Sequence, residues 1–394
     1  MNFIRSLFNI SSIYILLWCL YAFHWNEIMV GSIIDVLSNV FLGVNLLVSC
    51  YCFFIVRKRL QNKYLKAMSV MLLLFCIYGF IYILIGSQSA MLAAMGVSPI
   101  SYIVGPLRSL LPIFAFYYFT QQGFLSDKKI IFWSFIILAL YAFFSYTRTA
   151  IMMSDATRIG FTNNMGYLFV ALIPCVYLLR GRTLYQYLLL GVLLLFIVRA
   201  MKRGAILVGL VISFLFIKDK FKSSTSKEKI WVIVCVTAFV GIAAYYVVNT
   251  MMNDAYFQYR LAATMEGDSS GRDDIIGDLE FYLLNTANVF QWLFGSGADA
   301  TVAIAGNYAH NDWWEVLINQ GIIGLFFYFW YWIRGFKYSS KCTPMYKGII
   351  LSFVLTYFLR CFFSMSYSSI PLASTLLVGY ALAKEDELRL QNNI

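Results

Sequence analysis

Two kinds of residue in this chain are placed to do chemistry: a histidine in a polar stretch, and cations in apolar ones. His310 stands in the run Tyr308-Ala309-His310-Asn311-Asp312-Trp313-Trp314-Glu315. Asp312 and Glu315 have the spacing of a capping box. That predicts a helix beginning just after His310, whose free amides favour anions. An imidazole there titrates near neutral pH and can take a proton from a hydroxyl. Asn311, Asp312 and Glu315 are the candidate groups supporting it. The alternative is an interfacial histidine that only packs or caps. Trp313 and Trp314 read as interfacial aromatics or as platforms for a sugar ring. The only other histidine, His24, ends an apolar run beside Trp25 and reads as interfacial.

The cations form the second group. Arg199, Lys202 and Arg203 interrupt the apolar stretch 184–217. Arg148 and Arg158 bracket a short polar segment. Arg260 and Arg272 lie in a long one. Arg108, between Pro106 and Pro112, and Arg360 fall inside apolar runs. An arginine at the centre of a membrane helix costs about 2.5–3.5 kcal/mol on insertion scales, so these side chains should face protein or a wet cavity. The planar guanidinium fork suits phosphate. Together they read as an anion site, and a lipid-linked diphosphate fits it. The alternative is that they snorkel to the interface or pair with acids.

The elements that must position these groups are membrane helices. The chain has 394 residues, 61% hydrophobic and 12% charged, with a mean hydropathy of +0.74. Soluble domains carry roughly 25% charge. The composition excludes a soluble enzyme, a disordered chain and a nucleic-acid-binding protein. It indicates an all-α polytopic membrane protein. Apolar runs near 7–24, 36–56, 67–86, 100–120, 130–147, 164–180, 184–201, 204–217, 230–250, 314–333, 348–365 and 368–383 give about twelve spans. The organisation expected is a bundle of nine helices over 1–250, a long outer loop over 251–313, and three helices with a tail over 314–394.

Most Lys and Arg residues then fall on the side of both termini, which the positive-inside rule makes cytoplasmic. The acids lean outward, so the net charge of +11 reads as topology. The first span reads as an uncleaved helix. The run Lys384-Glu385-Asp386-Glu387 reads as a solvated tail. The eight cysteines, all but Cys342 in apolar runs, read as small hydrophobes and not as a disulfide framework. No metal or other cofactor is expected, and Asp273 with Asp274 reads as a helix start.

Within the long loop, Ser269-Ser270-Gly271-Arg272-Asp273-Asp274 predicts a helix capped by serine. Ile276, Leu279, Leu283 and Leu284 give it an apolar face. Leu293-Phe294-Gly295-Ser296-Gly297 predicts a flexible turn. The helix after His310 should run unbroken into the next span, with Gly321 and Gly324 allowing close helix contact.

These motifs resemble those of the bacterial O-antigen polymerase and O-antigen ligase superfamily. The resemblance rests on Gly295-x-Gly297, Ala309-His310-Asn311-Asp312 and Gly321-Ile322-Ile323-Gly324-Leu325. It extends to Ser270-Gly271-Arg272 and to Lys202-Arg203-Gly204-Ala205, where Lys202 replaces the family's serine. Arg158-Ile159-Gly160-Phe161-Thr162-Asn163-Asn164 also matches. It covers about residues 148–370; the first 140 resemble the family in hydropathy only. It implies an inverting, metal-independent glycosyltransferase of the bacterial inner membrane, acting at the periplasmic face on glycans carried by undecaprenyl diphosphate. Arg158, Arg199, Lys202, Arg203 and Arg272 would hold the diphosphate, with Arg108, Arg148, Arg260 and Arg360 in support. His310 would orient or deprotonate the acceptor hydroxyl. A polymerase is the favoured member, a ligase acting on lipid A core the alternative. A lipid-linked oligosaccharide flippase and a scaffold fit the outward cation cluster less well. Expected partners are lipid-linked donor and acceptor, membrane lipid, a chain-length regulator and a flippase.

Overall fold

A computed structural model of the chain describes residues 9–25, 32–58, 61–85, 100–154, 164–200, 202–226 and 271–392, with isolated positions between 229 and 262. The side chains of 23–25, 32, 85, 148–154 and 392 lie outside that description. Regular structure among the described residues is helical. It comprises α1 (Ile10–Trp25), α2 (Ser32–Lys58), α3 (Lys63–Ile85), α4 (Ser101–Gln121), α5 (Asp127–Ser154), α6 (Gly166–Val170), α7 (Thr183–Arg199), α8 (Arg203–Ser223), α9 (Arg272–Asn285), α10 (Val289–Phe294), α11 (Ala300–Ala305), α12 (Asp312–Ser339), α13 (Pro344–Arg360) and α14 (Leu372–Asn392).

Five segments among the described residues are long and apolar enough to cross a membrane: 33–58, 63–84, 101–121, 127–147 and 312–339. They coincide with five of the runs expected from sequence. The runs 7–24, 184–201, 204–217 and 368–383 also carry helices, which are not among those five. The stretch 164–180 is broken, because α6 gives way to a 3-10 turn over Ile173–Leu178 with Pro174 near its start. Proline lacks the N–H that would continue an α-helix, and its ring crowds the preceding turn. The run 348–365 ends as helix at Arg360, and the next begins at Leu372. Most of 230–250 lies outside the described residues, as does much of the long loop.

The chain divides into two compact units, residues 1–45 with 123–268, and residues 46–122 with 269–394. In the first, α6 packs against α7 and α8. Gly166 sits so close to the α7–α8 turn that an added Cβ would lie 3.0 Å from Ala205 Cβ and 3.2 Å from Ala200 Cβ. In the second, α4 lies against α14, and α12 lies against α3 and α10. Gly379 makes the first contact possible, since a Cβ there would lie 2.7 Å from the Ile113 carbonyl oxygen.

The end of α14 corrects the reading of a solvated tail. Glu385 is buried and accepts hydrogen bonds from the Thr343 amide (3.0 Å) and hydroxyl (2.8 Å). Asp386 accepts from Asn62 Nδ2 (2.8 Å), Tyr117 Oη (2.9 Å) and Tyr338 Oη (2.6 Å). A run this charged reads as wet. Its acids instead satisfy donors at the ends of four other helices, which offsets their burial.

Candidate active site

His310 lies between two anchored neighbours. On one side Ala309, fully buried, donates its amide to Glu315 Oε1 at 2.6 Å. On the other, Asn311 caps α12 by accepting from the Trp313 and Trp314 amides at 3.0 and 3.4 Å. The Asp312 amide then donates to the Cys361 carbonyl at 2.8 Å. The link that joins these fixed points is His310 itself, half-buried and held at φ 50°. Histidine tolerates the left-handed region better than most residues. Even so, such a conformation costs about 1–3 kcal/mol and persists only where surrounding contacts enforce it. The helix start falls where the sequence placed it, with a different cap: Asn311 caps, while Asp312 is the first helical residue and turns inward.

Asp312 and Glu315 are fully buried and saturated with donors. Asp312 accepts from Tyr328 Oη at 2.6 Å and receives the Ser366 amide on both oxygens, at 2.9 and 3.0 Å. Glu315 accepts from Ala309, from Thr301 Oγ1 (2.8 Å) and from Asn319 Nδ2 (3.2 Å). One carboxylate ties α12 to the segment after α13; the other ties it to α11 and to the backbone just before His310. Both are positioning groups, built to hold the loop that carries the imidazole.

Arg360 and Arg108 grip the same segment after α13. Arg360, buried at the end of α13, donates Nη1 to the Ser369 carbonyl (2.9 Å) and Nη2 to Ser369 Oγ (2.7 Å). Arg108 donates Nη2 to the Ser368 carbonyl at 3.3 Å. The expectation that both face protein is met: each trades hydration for backbone acceptors. Trp313 is also claimed by protein. It stacks on Phe329 (4.6 Å between ring centres) and meets the edges of Tyr328 and Phe358. Trp314 packs on the cluster of Leu279, Ala309 and Ile318.

The glycine motifs meet each other. Gly321 has φ 69° and ψ −168°, which kinks α12 where an unbroken helix was expected. Gly295 has φ 82° and ψ 174°. A Cβ on Gly321 would overlap the Leu293 carbonyl, and one on Gly295 would overlap the Asn319–Gln320 peptide. The Ser296 amide donates to the Ile318 carbonyl at 2.7 Å, using an acceptor at the kink. The turn at 293–297, expected to be flexible, is therefore fixed backbone to backbone. At Gly324 the nearest atoms that a Cβ would meet belong to the Gln320 side chain of its own helix.

No family model matches the chain, and no curated protein matches it.

In the first unit the structure brings Arg199, Lys202 and Arg203 together at the α7–α8 turn, where Lys202 is half-buried and the arginines are exposed. Gly166 packs on that same turn, so the segment that follows Asn163-Asn164 reaches the Lys202–Ala205 motif. In the second unit Arg272 begins α9, half-buried, behind Gly271 at φ 75°. Glycine, and not serine, occupies the cap position. Leu279 and Leu283 of α9 are buried in the Ala309 cluster, whereas Leu284 is exposed. Arg158 and Arg260, and the side chain of Arg148, lie outside the described residues.

Sequence reasoning missed Asp299. It is 4% exposed, sits at φ 54°, and its Oδ2 has no hydrogen-bond partner among the described residues. Burial pushes its carboxyl up to about 6. The nearby Tyr308 hydroxyl is pushed up to about 12 by burial, then by the charges of Asp299 and Glu315. Asp299 and His310 are the two non-glycine residues with positive φ among the described residues. They flank α11, and Glu315 holds that segment at Thr301 and at Ala309. An aspartate before a short apolar helix carries no sequence signal of this kind.

Proposed function

We propose that this chain is a membrane-embedded glycosyltransferase of the O-antigen polymerase type. It would join repeat units carried on undecaprenyl diphosphate at the periplasmic face of a bacterial inner membrane. The observation that carries the reading is the placement of His310. A single imidazole is held in a strained conformation between two anchored residues, at the head of a helix long and apolar enough to cross a membrane. Strain maintained by this many contacts is a mark of a working site.

In the proposed reaction the acceptor hydroxyl oxygen bonds to the anomeric carbon of the donor. Its proton passes to a His310 ring nitrogen. The bond from the anomeric carbon to the phosphate oxygen breaks, and its electron pair leaves on the lipid diphosphate. Attack from the opposite face inverts the anomeric centre. Diphosphate binding is assigned to Arg272, in the same unit as His310; its charge would offset what develops on the leaving group. For Arg158, Arg199, Lys202 and Arg203 that role is implied by the family resemblance alone. Arg108 and Arg360 are assigned a positioning role through the segment after α13.

The test uses purified protein with a synthetic undecaprenyl-diphosphate repeat unit. The wild type is expected to lengthen the glycan, and His310→Ala to bind the donor without lengthening it. In cells, deletion separates the two family activities. A lost polymerase leaves a single repeat on the lipid A core; a lost ligase leaves none.

A further inference from the structure

The loop that supports the histidine carries an apolar face the composition does not announce. At the C-terminal end of α9, Phe281 and Leu284 are 66% and 76% exposed. On α10, Val289, Phe290, Leu293 and Phe294 are exposed as well, and the helix has no charged residue. Of the acids of α9, Asp273 and Asp274 lie in its first turn, Asp278 at its middle and Glu280 next to Phe281; α10 carries none.

This face is not left over from poor packing. A capping box of Asn288 and Gln291 closes the start of α10. Trp292 Nε1 donates to the Leu283 carbonyl at 3.0 Å, tying α10 to α9. Gly295 locks the end of α10 onto α12. A firmly held helix that turns its large apolar side chains outward marks an interaction surface.

Its position says what covers it. Tyr82 Oη, in the last turns of α3, donates to the Phe294 carbonyl at 3.0 Å. Phe80, Ile81 and Leu84 beside it are exposed on a segment long and apolar enough to span a membrane. The exposed side chains of α10 are thus tied to the end of α3, whose own exposed apolar side chains lie on a segment of membrane-spanning length. We propose that the end of α9 and the whole of α10 lie in the membrane interface, with Phe281, Leu284, Val289, Phe290, Leu293 and Phe294 among the acyl chains. Interfacial helices hold to membranes by burying such a face. The inference stands on packing alone and is independent of the glycosyl-transfer reading.

The test places the photoreactive amino acid benzoylphenylalanine at Phe290, Leu84 or Asp274, all exposed positions. The full-length protein is reconstituted in bilayer discs of phosphatidylethanolamine and phosphatidylglycerol, irradiated and weighed intact. Position 290 is expected to give protein–phospholipid adducts at a yield near that of Leu84 and at least about tenfold above Asp274. Crosslinking of position 290 to a second copy of the chain would overturn the proposal. So would an adduct yield as low as that of Asp274 while Leu84 reacts.

Discussion

Replacing Glu315 should release His310 without touching it. One carboxylate accepts the Ala309 amide on Oε1, and Thr301 Oγ1 with Asn319 Nδ2 on Oε2. In Glu315→Ala all three bonds vanish, and the Ala309 and Asn319 donors are left in a fully buried site. Each lost bond removes about 1 kcal/mol and each stranded donor costs about 1–3 kcal/mol. These do not add fully, and a loss of about 3–5 kcal/mol is expected. Glu315→Gln should be milder. Its amide oxygen can keep the Ala309 bond while its NH2 faces Thr301, whose hydroxyl can turn to accept; only the Asn319 Nδ2 donor loses its acceptor, so about 2–3 kcal/mol is expected. The assay is hydrogen exchange at the Ala309 amide beside thermal unfolding in detergent. Glu315→Ala should expose that amide by about a hundredfold or more, since 1.4 kcal/mol is about tenfold in an opening equilibrium. If Ala309 stays protected in the alanine variant, Glu315 does not hold the loop and the positioning account is wrong.

Three further outcomes are expected. Gly321→Ala and Gly295→Ala should each destabilise by at least about 2 kcal/mol, because each adds strain at positive φ to a backbone overlap; equal melting of either variant and wild type would deny the lock. Asp299 ionises near 6 in the fold against 3.8 as the ordinary value, so the fold favours its protonated form. Stability should be highest below about 4, fall by up to about 3 kcal/mol as pH rises to 6, and stay level above. Asp299→Asn should remove that fall and gain stability at pH 7, read from melting at pH 5 and 7. Asp386→Ala strands Asn62 and two tyrosine hydroxyls and should cost about 3 kcal/mol, while hydrogen exchange at Ala309 is unchanged; a loosened Ala309 would show that the two ends of α12 are coupled.

Much of the helical content was legible because apolar runs report membrane helices directly, and five of the expected runs coincide with membrane-length helices. The breaks were not legible where tertiary contacts decide them. Gly321 reads as a small residue for close helix packing, yet its role is a kink fixed by Leu293 and Gly295, distant in sequence. Asp312 fits a capping pattern, but its true partners, Ser366 and Tyr328, lie beyond any local window. Glu315 and Asn319 share a helix face at four-residue spacing, a signal that was available. Asp299 gave none, because its environment is made by other segments. Arg360 and Arg108 were rightly expected to face protein, but sequence could not tell a backbone acceptor from a phosphate.

The most direct test of the central claim is the rate of glycan lengthening by purified His310→Ala on a synthetic undecaprenyl-diphosphate repeat unit. The account predicts a fall of about a hundredfold or more, the scale of a lost general base, with donor binding and melting temperature retained. Lengthening at the wild-type rate would contradict it.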